Sequence, residues 1–342
     1  GAASAFTIKD DGPEAQTVTP ATAAAIALDE TTANANDSDT ADFSVHFNTA
    51  SVDYGTDGKG DVKYSWSLTG INVVSGLYAL DANDKVDNET PTADGIGQGD
   101  QILLNVSTDG LTITGSEGGT AYFTLVINED TGVVTFTQSN NLWHPTTSDH
   151  DESATLTLAA GVLEIEQTVT DADGDTDVAS YDVGAASAFT IKDDGPTAAT
   201  PDVTLLNTIT AATLDESVLD VSTTTVVEGD GVYSATTNVA AAFEGTAAGN
   251  FGTDGAGTTS YAVSFTGAGT GSGLFILDPS VTTGDVGKGA EITLQDNTDG
   301  TVSGMNGPAK VFTISVSTSS EVTFAYEKTT DPANIWHADT TS

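Results

Sequence analysis

Residues 1–13, GAASAFTIKDDGP, recur without a single change at 184–196, an offset of 183 residues. Identity over that length marks a tandem repeat, and a repeat limits the fold before any single residue does. Weaker echoes follow in the same order. Ala27-Leu28-Asp29-Glu30 returns as Thr213-Leu214-Asp215-Glu216, and Tyr54-Gly55-Thr56-Asp57-Gly58 returns as Phe251-Gly252-Thr253-Asp254-Gly255. Ser75-Gly76-Leu77 returns as Ser272-Gly273-Leu274, Val134-Thr135-Phe136 as Val322-Thr323-Phe324, and Trp143-His144 as Trp336-His337. Residues from about 150 to 183 have no counterpart in the second copy. The expected organisation is a tail strand and joint of a preceding repeat at 1–13, a complete β-sandwich repeat at 14–196, and a second, incomplete one at 197–342. The joints fall at Asp-Asp-Gly-Pro, where Pro and paired Asp mark exposed chain.

Between the joints the chain reads as short strands. Lys63 to Leu68 (KYSWSL) and Ala121 to Ile127 (AYFTLVI) alternate apolar with polar residues, the period of a half-buried strand. Val133 to Thr137 follows after a Gly-closed loop, Asn128 to Gly132, which predicts a β-hairpin. Leu163 to Val169 alternates over its first half, and His46 sits in a strand-like run, FSVHF. Helix-like composition is confined to Ala-rich stretches near 21–27 and 239–243. Many short strands with frequent turns predict an all-β chain of tandem immunoglobulin-like β-sandwich domains, enlarged relative to an ordinary immunoglobulin domain.

The charge is extreme: 50 acidic residues against 8 basic, a net charge of −42. Such a chain repels phosphate backbones and anionic lipid, so nucleic acid and membrane insertion are not expected. Self-repulsion weakens a compact state unless cations neutralise part of it. A generally acidic, salt-adapted surface is the other reading of the charge. There is no Cys and no apolar run of spanning length.

The acids come in short dense groups. Asp171-Ala172-Asp173-Gly174-Asp175-Thr176-Asp177 places four carboxylates on alternate residues, with a Gly for the turn. Calcium takes six to eight oxygens from flexible carboxylates and carbonyls, and a curled loop of this kind offers several. The Gly falls two positions early for an EF-hand and no Glu closes the loop. A short Ca²⁺ loop is the favoured reading over a solvated acidic turn. Asp10-Asp11 and Asp193-Asp194 lie at the joints, where a bridging cation would offset their repulsion; a plain Asx turn before Pro is the alternative. Asp29-Glu30 and Asp215-Glu216 follow each joint by about twenty residues and are candidates to complete the same site. His144 lies near Asp149, His150, Asp151 and Glu152. Two His without Cys or His-x-x-x-His spacing make a weak zinc pattern, so Trp143-His144 reads as a packing pair. No nucleophile elbow, phosphate loop, dinucleotide fingerprint or catalytic Cys is present, so no enzyme activity is expected.

As an ordered set, Leu28-Asp29-Glu30, Tyr64-Ser65-Trp66-Ser67-Leu68, Ser75-Gly76-Leu77, the run Asn128 to Gln138, Leu142-Trp143-His144-Pro145, Asp149-His150-Asp151-Glu152, Thr170 to Asp175 and Asp193-Asp194-Gly195-Pro196 resemble the long repeat of giant type I-secreted, RTX-type bacterial adhesins. The resemblance covers 14–196 and the matching part of 197–342. It implies β-sandwich extender domains, export by a C-terminal signal, an extracellular place on the cell surface, and calcium that stiffens a stalk. The implied ligands are Asp171, Asp173, Asp175, Asp10, Asp11, Asp193 and Asp194. The implied partners are neighbouring repeats of the same chain, or other copies in a fibre. In the second copy Ala338 stands in place of Pro145.

Overall fold

The computed structural model describes residues 6–31, 37–84, 95–212, 232–243, 249–265, 267, 270–327 and 335–338. Its contacts define two units: Gly1–Thr197 with Phe251–Ala256, and Ala198–Asn250 with Gly257–Ser342. The architecture is all-β, with sheets that are antiparallel except for one parallel pair, consistent with a sandwich.

The first unit comprises β1 (Ile26–Asp29), β2 (Ser38–Asp42), a 3-10 turn (Phe43–His46), β3 (Lys59–Leu68), β4 (Val73–Leu80), β5 (Gln98–Val106), β6 (Thr112–Glu117), β7 (Thr120–Ile127), β8 (Val133–Gln138), β9 (Ser153–Leu156), β10 (Leu163–Asp171), β11 (Thr176–Asp182) and β12 (Phe189–Lys192). One six-stranded sheet has the order β2-β8-β7-β6-β5-β4; two three-stranded sheets have the orders β11-β10-β3 and β1-β12-β9. The β7–β8 hairpin forms where the alternation places it. The Asn128 side chain accepts from the backbone N–H of Asp130 and Thr131, and Gly132 takes φ 71°.

Alternation decides what is buried. Successive side chains of a strand point to opposite faces, and β10 buries Leu163, Ile165, Gln167, Val169 and Asp171 in turn. Gln167 is tolerated inside because its Nε2 donates to the Tyr64 hydroxyl at 2.9 Å. Phe189 ties the layers together, with ring centroids 5.5 Å from Phe43, 6.2 Å from Trp66 on β3 and 5.6 Å from Phe136 on β8.

Two local expectations differ. FSVHF is a 3-10 turn, not a strand: the Asp42 carboxylate accepts from Ser44 N at 2.9 Å, and Phe43 N donates to the Gly132 carbonyl at 3.1 Å. The turn buries Phe43, His46 and Phe47, which are three and four residues apart. The Ala-rich stretch before β1 is not helical, because Ile26 and Leu28 are drawn into the strand.

The second unit contains the short helices α1 (Val203–Leu206) and α2 (Ala240–Phe243), and β13 (Val232–Asn238), β14 (Gly271–Leu277), β15 (Lys288–Asp296), β16 (Val302–Asn306), β17 (Ala309–Val316) and β18 (Glu321–Glu327). Its sheet order, β13-β18-β17-β16-β15-β14, reproduces the six-stranded sheet of the first unit strand for strand. Small details repeat too. The Phe123 ring covers Gly115, where a Cβ would lie 2.4 Å away, and the Phe312 ring covers Gly304, at 2.2 Å. Residues 258–265 carry the alternation of β3, with Tyr261, Val263 and Phe265 for Tyr64, Trp66 and Leu68, yet form no strand. In the first unit β3 is held by its ladder to β10.

Candidate cation sites

Among the described residues of the first unit, acidic side chains gather in two groups. The larger begins at the inner end of β10. Asp171 is the last inward-facing residue of that strand and is 3% exposed. Its Oδ1 accepts from Gly174 N at 3.0 Å and Asp175 N at 2.9 Å, which curls the loop around it. Gly174 permits the curl with φ 108°. Asp171 Oδ2 is buried and has no hydrogen-bond partner. Register shifts between Thr170 and Asp171, opposite Gly60, where a Cβ would lie 2.2 Å from the Asp171 carbonyl oxygen.

The tail that carries Asp10 and Asp11 packs onto the loop after Tyr54. Thr56 N donates to the Asp11 carbonyl at 3.2 Å. A Cβ on Gly55 would lie 1.9 Å from that oxygen, so the seat accepts only Gly. This docking brings Asp57 and Asp10 against the β10–β11 loop. Oxygens of Asp10, Asp57 and Asp173 lie within 4.8 Å of one another, as do those of Asp171, Asp173 and Asp175. Like charges this close titrate abnormally. The hydrogen bond shared with Asp10, then its charge, pushes the Asp57 carboxyl up to about 6. Asp171 raises Asp173, and Asp10 raises Asp175, while Asp10 itself is held below the ordinary range by Asp175 and Asp57.

The smaller group is enclosed. β1 pairs in parallel with β12, Asp29 opposite Lys192, and Glu30 N donates to the Lys192 carbonyl at 3.0 Å. The next residue of each strand is therefore Glu30 beside Asp193. Glu30 Oε1 accepts from Leu142 N at 2.9 Å and from the Gln138 amide. Glu30 Oε2 points toward His144 Nε2 at 3.9 Å, longer than a hydrogen bond, with side chains 1% and 3% exposed. Oxygens of Glu30 and Asp193 and a ring nitrogen of His144 lie within 4.8 Å of one another. Burial opposes a charge on His144, but the carboxylates of Glu30, Asp193 and Glu152 outweigh it and raise its pKa. Burial likewise raises Asp193.

Residues Phe251–Ala256 pack with the first unit and face this group. Asn141 Nδ2 donates to Thr253 Oγ1 at 2.9 Å and to Asp254 Oδ1 at 3.0 Å. A Cβ on Gly252 would lie 1.9 Å from the Asp194 carbonyl oxygen, the same seat that Gly55 makes with Asp11. Burial, then the charges of Glu30 and Asp193, lifts Asp254 to about 6.

The carboxylates read from the sequence thus divide. Asp171, Asp173, Asp175 and Asp10 converge. Asp177 does not join them: its Oδ2 accepts from Ala15 N at 2.9 Å. Asp11 and Asp194 lend backbone carbonyls to the glycine seats, and their carboxylates are in neither group. Glu30 meets Asp193, not Asp10, because the β1–β12 ladder sets its partner. Asp29 turns away to accept from Thr31 N. Asp215 and Glu216 lie outside the described residues. Asp57 and Asp254 are the members that pattern reading does not single out, and His144, which reads as half of a packing pair, joins the smaller group. The recurrence of Gly-Thr-Asp-Gly downstream of both joints, at 55–58 and 252–255, is the signal for the first two.

No curated protein and no solved structure matches the chain. The sequence profile of a domain of unknown function, DUF5801, matches residues 25–184 and again residues 211–342, so the chain belongs to the DUF5801 family, whose domain it carries twice.

Proposed function

We propose that this chain is a run of structural extender repeats from a secreted bacterial surface adhesin. In this reading the repeats are non-catalytic. Calcium stiffens them, and they project a binding domain from the cell surface. The observation that carries the reading is the convergence of Asp10, Asp57, Asp171, Asp173 and Asp175 from three separate chain segments, with a buried and unpartnered oxygen on Asp171. A hard cation with many oxygen ligands matches that donor set. It would tie the Asp-Asp-Gly-Pro tail to the body of the sandwich, which is what a stalk under load requires. Against a carbohydrate-binding module, Trp66 is only 4% exposed, and the indoles of Trp143 and Trp336 donate to the Ile96 and Val286 carbonyls. That arrangement suits packing better than a sugar platform.

Small-angle scattering of the 342-residue chain in millimolar Ca²⁺ and in chelator tests the extender role. A longer maximum dimension and a narrower distance distribution with Ca²⁺ is the expected result. Superimposable curves in the two buffers would refute stiffening by calcium.

A further inference from the structure

We infer that Glu30, His144 and Asp193 form a second metal site, distinct in chemistry from the aspartate cluster, that takes a first-row transition-metal dication of the Zn²⁺ class. Four polar atoms carry the inference: Glu30 Oε2, both ring nitrogens of His144, and Asp193 Oδ1 are all buried and lack a hydrogen-bond partner. Buried polar groups are almost always paired, so four unpaired atoms in one place ask for a shared ligand. The side chains of Glu30 and His144 are 1% and 3% exposed, and Asp193 is 9% exposed. Their donor atoms fall within 4.8 Å of one another, the span of ligands around one ion with bonds of about 2.0–2.2 Å.

The donor set selects the ion. An imidazole nitrogen suits Zn²⁺ and its neighbours, whereas Ca²⁺ prefers oxygen alone. The three residues are also held in place. Glu30 Oε1 is fixed by Leu142 N and the Gln138 amide, which leaves Oε2 to point inward. Asp193 N donates to the Glu152 carbonyl at 2.9 Å. His144 follows Trp143, whose backbone N–H is bound to Tyr78 O at 2.9 Å and whose indole is bound to Ile96 O at 2.9 Å. Asp254 feels the charge of all three residues and is itself anchored by Asn141; it is a candidate for a fourth oxygen. This site does not depend on the calcium reading, and the two share no residue.

The test titrates Zn²⁺ alone into the chelator-treated chain, with millimolar Ca²⁺ present to fill the aspartate cluster. Binding is read by calorimetry and by long-range ¹H–¹⁵N spectra of the four histidines. The expected result is one equivalent bound at micromolar affinity or better, with the His144 ring signals shifted and those of His46 and His337 unmoved. His144→Gln should weaken Zn²⁺ binding by more than about a hundredfold, beyond the loss of an outer-shell partner. Asp173→Asn should leave Zn²⁺ binding intact. Three outcomes would overturn the site: no binding, full affinity in His144→Gln, or a doubly protonated His144 whose signals ignore Zn²⁺ and which serves only as a counter-ion. Should His144→Gln not fold, the histidine spectra of the unsubstituted chain still decide.

Discussion

Phe6 and Phe189 occupy the same place in two identical thirteen-residue segments, yet Phe6 is 92% exposed and Phe189 only 1%. Local sequence cannot tell them apart; only the strands on either side of β12 can. Phe189→Ala should therefore cost about 3–5 kcal/mol, the range for deleting a buried aromatic, while Phe6→Ala should stay within about 0.5 kcal/mol; denaturant unfolding of the two variants measures the contrast. His46 offers a second check. Its Nε2 accepts from Ala24 N at 3.1 Å, and its ring stacks 3.6 Å from Tyr181. Burial lowers its pKa from 6.5. A base depressed in the fold contributes stability above its unfolded pKa and loses it as pH falls. With calcium in excess, the melting temperature should drop as pH falls below about 6.5, and the drop should shrink in His46→Gln. Strand faces such as that of β10 were legible from alternation. That alternation runs on through Gln167 to Asp171 was not, because a polar residue hides an inward position until its partner is known.

The two ladders of β1 and β10 settle which carboxylates meet. A parallel β1–β12 pair is invisible to period-2 reading, which gives faces but not neighbours, and so Glu30 was matched to the wrong joint. The loop carrying Asp57 read as an ordinary turn, since Gly-Thr-Asp-Gly has the composition of one. Its place beside Asp10 follows from close approach at Gly55, a tertiary fact. Asp57→Asn should act in two directions. Without divalent cations it removes repulsion with Asp10 and should raise the melting temperature at pH 7; with calcium it removes a proposed ligand and should blunt the response. The raised pKa of Asp57, about 6, fixes the pH sense. A carboxyl raised in the fold favours folding while protonated, and that contribution is lost as pH climbs through about 6. In chelator, Asp57 should therefore push the melting temperature up when pH is taken from 7 to 5, against the His46 effect, so the parent chain should gain relative to Asp57→Asn over that range. A parent chain and Asp57→Asn with the same pH dependence would count against the crowded carboxylates. Melting curves in chelator across that pH range, for the parent chain and Asp57→Asn, separate the two.

At the scale of the molecule, the repeat was the most legible feature, and the six-stranded sheet recurs with the same strand order in both units. What pattern could not give was the conformation of 258–265, a good strand sequence that forms no strand, although Val263 N donates to the Gly300 carbonyl at 3.3 Å. Charge is no more legible from pattern: 50 acidic residues become a mechanism only where several close on one point. We propose that calcium binds at Asp10, Asp57, Asp171, Asp173 and Asp175 and is part of the folded state. Thermal unfolding of the chain in chelator and in calcium, beside Asp171→Asn, tests it most directly. At calcium one hundred times the dissociation constant, a native-only ligand adds about 2.7 kcal/mol, which should move the transition of the first unit up by about 5–10 °C, with most of the shift missing in Asp171→Asn. Coincident transitions with and without calcium, or an undiminished shift in Asp171→Asn, would contradict it.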